Sequence, residues 1–125
     1  MAQATVLLID DEKPYTKVIK DALEAQGIQV MVANNAMEAL MLFQQVTPDL
    51  VLLDVMMPEV DGLKLLRWLR EHSERKRVPI HVVSAKAQPQ DREAALRSGA
   101  DGFTAKPFTM EELRKLIREY VAVES

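Results

Sequence analysis

The chain contains no cysteine, which excludes disulfides, thiol catalysis and thiolate metal sites. It has no apolar run near the roughly 20 residues that a membrane-spanning helix needs. There is no basic leader and no small-residue cleavage site ahead of the first strand-like run, so a cytoplasmic location is expected. Excess positive charge is also missing. The net charge is −3 and the pI about 5.4, which argues against a nucleic-acid-binding surface spread over the whole domain. Internal repeats, low-complexity tracts and interdomain linkers are absent. What remains is 125 residues, 48% apolar and 28% charged, the composition of one ordinary globular domain over residues 1–125 with a real core. The chain ends at VAVES soon after its last helical pattern, and no second domain is expected.

Apolar runs of strand length alternate with amphipathic stretches of helix length. Thr5–Ile9, Val30–Ala33, Leu50–Leu53 and Ile80–Val83 read as strands, with Gly102–Ala105 a weaker fifth. Tyr15–Gln26 reads as a helix with Val18, Ile19, Ala22 and Leu23 on its core stripe. Further helices are expected over Ala36–Val46, Leu63–His72, Gln90–Ser98 and Met110–Val121. Gly27 and Gly99 stand where the first and fourth helices should stop, and Thr109 precedes two glutamates as an N-cap. Pro48, Pro58, Pro79 and Pro89 fall between elements. Strict alternation predicts an α/β fold, a (βα)5 doubly wound parallel sheet in the order 2-1-3-4-5 with helices on both faces.

Polar residues mark the ends of the apolar runs. Asp10-Asp11 follow ATVLLI, Asp54 follows DLVLL, Ser84 follows IHVV, and Lys106 precedes Pro107 in GFTAKPF. Asp11 and Asp54 are about two βα units apart, and Ser84 and Lys106 follow at about one unit each. All of them should therefore reach the C-terminal rim of the sheet, where open α/β folds bind ligands. Clustered carboxylates repel unless a cation sits among them. The expected pocket holds a divalent metal with an anionic group beside it.

LLIDDE at 7–12, LVLLDVMMPEVDG at 50–62, VVSA at 82–85, GADGF at 99–103 and KPF at 106–108 together resemble the receiver domain of two-component response regulators, the CheY-like, flavodoxin-like fold. The resemblance spans essentially the whole chain. It implies that Asp54 accepts a phosphoryl group from a phosphohistidine on a histidine kinase or phosphotransfer protein. It implies that Asp11, Asp54 and the backbone carbonyl of Met56 bind Mg²⁺, with Asp10 acting through water. Ser84 would bond the phosphoryl group, Lys106 would pair with it from a cis peptide to Pro107, and Phe103 would occupy the switch position. The domain would catalyse its own phosphorylation and dephosphorylation without being an enzyme in the ordinary sense. Phosphoryl transfer asks mainly for positioning and neutralisation of spreading negative charge, and these residue types supply both.

Each residue also has a plainer reading. Asp54 alone could cap a helix, Ser84 could bond a turn backbone, Lys106 could be a solvated loop lysine and Phe103 plain core. It is the set at unit spacing that carries the functional one. Met56-Met57 reads as adaptable filler. His81, inside an apolar strand, reads as a satisfied buried histidine, and His72 has no metal-spaced companion. Arg75-Lys76-Arg77 precedes the fourth strand, at the end of the sheet away from the acids, and reads as a solvated loop.

Competing functions separate on single residues. An Asp-nucleophile Mg²⁺-dependent phosphatase of the haloacid-dehalogenase kind needs an acid two residues after the nucleophile, where this chain has Met56. A pseudo-receiver that only docks partners is opposed by the intact polar set. A receiver excised from a larger transcription factor or hybrid kinase would read the same way. The resemblance places the output surface on the fourth helix, fifth strand and fifth helix, about Gln90–Ser98, Gly102–Ala105 and Met110–Val121. Members that dimerise through it usually carry GADDY, so Gly102 argues against a dimer of that type and for a single-domain regulator; a monomer or a phosphorylation-dependent dimer is expected. The resemblance also implies that Met56 and Lys86 occupy positions that help tune the lifetime of the phosphorylated state. No direct nucleic-acid or membrane contact is expected.

Overall fold

The computed structural model describes residues 3–58, 60–73 and 77–121. Five strands and five helices alternate: β1 Thr5–Ile9, α1 Lys13–Glu24, β2 Gln29–Ala33, α2 Ala36–Gln45, β3 Leu50–Asp54, α3 Gly62–Glu71, β4 Ile80–Ser84, α4 Pro89–Arg97, β5 Gly102–Ala105 and α5 Met110–Arg118. The strands form one parallel sheet in the order β2-β1-β3-β4-β5, as expected from the sequence. In register, Val6 lies between Val30 and Leu50, and Asp54 lies beside Val83.

Continuous apolar runs form the inner strands because both faces are covered. One core layer joins the sheet to Phe43 of α2, Leu65, Leu66 and Leu69 of α3 and Ala95 of α4. The other joins it to Ile19 and Leu23 of α1 and Leu113, Leu116 and Ile117 of α5. The stripe on α1 departs from expectation. It runs Thr16, Ile19, Leu23, while Val18 is 54% exposed. Adjacent residues on a helix point about 100° apart, so Val18 and Ile19 cannot both face the sheet. Ala95 and Leu96 on α4 divide in the same way, with only Ala95 buried.

Local chemistry fixes the boundaries. Asn35, Asp61 and Thr109 accept backbone N–H groups from Glu38, Lys64 and Glu112, each bond supporting a helix start by about 1 kcal/mol. Glu112 returns a bond to the N–H of Thr109, closing a capping box. Pro89 does not lie between elements but opens α4, where a missing N–H is harmless. Gly27 and Gly99 end α1 and α4 with φ of 81° and 114°. Gly62 opens α3 against Val55, so close that a Cβ would lie 2.3 Å from the Val55 carbonyl oxygen. That contact folds the loop after Asp54 tightly back onto the end of β3. No helix among the described residues is long and apolar enough to cross a membrane.

At the N-terminal rim of the sheet, Arg70 of α3 binds the carbonyls of Gly99 and Val78 and the carboxylate of Asp101. Asp101 also accepts from Arg77 and from the N–H of Ile80. Burial opposes the charge on Asp101, but the Ile80 N–H, Arg77 and Arg70 outweigh it and hold its pKa below the usual value. Arg77 is thus paired with an acid. Arg75 and Lys76 of the same basic run lie outside the described residues.

Candidate functional site

The site assembles at the opposite rim. Asp10 follows β1 directly. Its N–H continues the ladder to Ala33, and its carbonyl accepts from the Asn34 side chain. The carboxylate is fully buried, and its Oδ1 accepts the N–H of Glu12 at 3.0 Å. Asp54 is the last residue of β3 and is also buried; its Oδ1 accepts the N–H of Met56 at 2.8 Å. Both are aspartates bonding the backbone two residues on, a local turn that suits a strand end. Ser84 ends β4, buried, with Oγ accepting from the N–H of Lys86 at 3.0 Å. The Ser84 carbonyl takes the N–H of Lys106, and the Lys106–Pro107 peptide is cis.

Lys106 then reaches across two strands. Its Nζ donates to Asp10 Oδ2 at 2.8 Å and to Asp54 Oδ2 at 3.0 Å. Glu12 Oε1 stands 3.7 Å away, and the ring of Tyr15 lies under the ammonium with its centroid at 4.3 Å. Burial by itself would lower the pKa of Lys106. The hydrogen bonds and charges of Asp10 and Asp54 overcome it and hold the ammonium above the ordinary lysine range. Burial raises the pKa of Asp10 above its usual value despite the opposing bonds from Lys106 and Glu12, and the Asp54 charge adds to the rise. Burial likewise pushes the Tyr15 phenol up to about 12. One cation thus serves two buried carboxylates, an arrangement stable only while both bonds are made.

Asp10, Glu12 and Asp54 each offer a carboxylate oxygen, all within 4.8 Å of one another. Three hard oxygen donors with open sides suit Mg²⁺, which keeps several waters and takes its remaining ligands from carboxylates and phosphate. Asp11 is not part of this group. It is partly exposed and makes no side-chain hydrogen bond or ion pair among the described residues. Met56 has an exposed side chain, and Phe103 is buried in the core layer shared with α3 and α4. Lys86 is exposed, 3.7 Å from Asp91. Two residues of the site, Glu12 and Tyr15, were not singled out from the sequence. Their signals were faint: a third consecutive acid, and an aromatic in the first turn of a helix.

The histidine of β4 behaves as a buried, satisfied side chain. His81 Nδ1 pairs with the Tyr120 hydroxyl at 2.9 Å and Nε2 with the Thr104 hydroxyl at 2.7 Å. Burial, with the charge of Arg92 adding to it, lowers its pKa to about 4.

The sequence profile described as the response regulator receiver domain matches residues 6–118, and the chain belongs to that family. It is 42% identical over 113 residues to the transcriptional regulatory protein TrcR of Mycobacterium tuberculosis, covering 90% of this chain and 43% of that one. It is 31% identical over 117 residues to the polar-differentiation response regulator DivK of Brucella anthropi, covering 94% and 95%. The chain therefore spans less than half of TrcR and nearly all of DivK. The solved structure of the chemotaxis response regulator CheY4 of Vibrio cholerae superposes with a TM-score of 0.88 at 28% identity, covering 96% of this chain and all of that one. The protein is a response-regulator receiver, a signalling switch. Receiver domains bind Mg²⁺ at an acidic pocket and interact with histidine kinases and downstream targets.

Proposed function

We propose that this receiver, taken as residues 1–125, carries its phosphoryl group on Asp54 and works in the cytoplasm. The observation that supports this most is the Lys106 ammonium held between Asp10 and Asp54 at 2.8 and 3.0 Å. It puts a fixed positive charge beside the carboxylate that would attack. An Asp54 oxygen forms a bond to the phosphorus of a phosphohistidine on a kinase or phosphotransfer protein as the P–N bond breaks. The imidazole nitrogen keeps that electron pair. The receiver itself promotes this step and the later hydrolysis, in which water attacks phosphorus and the P–O bond to Asp54 breaks, restoring the carboxylate and releasing phosphate.

Mg²⁺, when bound, supplies positive charge against the phosphoryl oxygens. Asp54, the acids of the 10–12 turn and the Met56 carbonyl would hold it, with Asp11 and Asp54 direct and Asp10 through water. Lys106 leaves the carboxylates for a phosphoryl oxygen, and the Ser84 hydroxyl leaves the Lys86 N–H to donate to another. The added charge of about −2 draws both inward. Phe103, one residue before Thr104 on β5, transmits the shift to the face of α4, β5 and α5. Downstream proteins are read there, in a monomer or a dimer formed on phosphorylation.

Incubation with acetyl phosphate and Mg²⁺, followed by intact-protein mass spectrometry, tests the reading. Wild type should gain one phosphoryl group and Asp54→Ala none. A labelled Asp54→Ala protein would move the acceptor elsewhere.

A further inference from the structure

We propose that Tyr15 is a positioning residue for Lys106, acting through the face of its ring and not through its hydroxyl. The proposal rests on the reading that Lys106 pairs with the phosphoryl group. An ammonium has three N–H groups. Asp10 and Asp54 take hydrogen bonds at 2.8 and 3.0 Å, and the Tyr15 ring covers the ammonium with its centroid at 4.3 Å. That separation is well inside cation–π range, and a desolvated pair of this kind is stronger than an exposed one.

The ring is itself fixed. Phe108 meets it edge-on at 5.9 Å and 63°. Lys106 and Phe108 flank Pro107, so a single loop grips Tyr15 from two directions while α1 supplies the ring. The hydroxyl, by contrast, is buried with no hydrogen-bond partner among the described residues. Its raised pKa keeps it neutral through the physiological range, so it brings no charge to the pocket. During transfer, Asp10 and Asp54 exchange Lys106 for other partners. The ring is the contact that no incoming charge competes for, and it keeps the ammonium at the rim.

The test measures phosphorylation rate with acetyl phosphate and Mg²⁺ in full-length Tyr15→Phe, Tyr15→Leu, Lys106→Ala and the Tyr15→Leu/Lys106→Ala double variant. Tyr15→Phe should stay within about twofold of wild type, and Tyr15→Leu should be roughly three- to tenfold slower. In the Lys106→Ala background, Tyr15→Leu should have no further effect. Equal rates for Phe and Leu, or the same Leu penalty without Lys106, would overturn the role of Tyr15 alone. A wild-type rate in Lys106→Ala would overturn the Lys106 reading and this proposal with it. Should Tyr15→Leu fail to fold, NMR decides: the Lys106 ε-methylene protons should be shifted upfield by the ring in wild type and Tyr15→Phe, and unshifted protons would sink the idea.

Discussion

His81 of β4 lies directly beside Gly102 of β5, and its imidazole occupies the space that any side chain at 102 would need. A Cβ at Gly102 would come within 2.6 Å of His81 Nδ1 and 2.8 Å of the Tyr120 hydroxyl. The glycine at 102 is thus the steric counterpart of the imidazole at 81. Gly102→Ala should destabilise the fold by about 2 kcal/mol through overpacking. His81→Val should recover most of that loss in the double variant, since the two sites touch. Urea unfolding of the four proteins checks it, and additive losses would separate the two positions.

The same histidine sets an acid sensitivity. Its folded pKa of about 4 lies below the ordinary 6.5, so between those values the unfolded chain binds a proton that the native state refuses. Stability should therefore fall as pH drops from about 6.5 towards 4, by on the order of 3 kcal/mol over the whole window. His81→Leu should flatten that part of the curve, whatever its effect at neutral pH. A wild-type slope in the variant would assign the effect to another group.

Asp101 acts in a lower window. Its pKa is depressed, so its contribution is full above the ordinary carboxylate value of 3.8 and is lost as pH falls through the folded value. Asp101→Asn should cost about 2 kcal/mol at pH 7, because Arg70 and Arg77 lose a shared carboxylate. The gap between variant and wild type should close in strong acid. Denaturant midpoints at pH 7 and pH 2.5 measure it.

Metal binding should separate the acids of the site. At ten times its Kd, Mg²⁺ should stabilise the wild type by about 1.4 kcal/mol, or roughly 5 °C in Tm. Asp11 stands outside the Asp10–Glu12–Asp54 group, so Asp11→Asn should leave the metal-free Tm within about 2 °C. The variant should still lose most of the Mg²⁺ shift if Asp11 turns in as a direct ligand. An undiminished shift would leave that role to Glu12.

The strands were legible because burial on both faces leaves continuous apolar runs, and the site was legible because an acid, a hydroxyl or a lysine follows the run at β1, β3, β4 and β5. Polar residues at successive strand ends pointed to one shared rim, and there Lys106 meets Asp10 and Asp54. Helix faces were less legible where two apolar residues adjoin, as at Val18 and Ile19, because sequence spacing does not say which one faces in. Three consecutive acids at 10–12 pose a similar problem, since the turn after β1 decides which carboxylates point inward. Tyr15 shows in the sequence only as an aromatic at the start of a helical pattern. Only coordinates show it under a lysine 91 positions away in a chain whose sheet brings the two ends together.

The Arg70 cluster has a mechanical corollary. Its guanidinium fastens the carbonyls before β4 and β5 to one helix, so the two strands leading to Ser84 and Lys106 share a pinned base. The far ends are tied as well, by the Lys106 N–H on the Ser84 carbonyl, so the pair is held top and bottom and would shift as one plank.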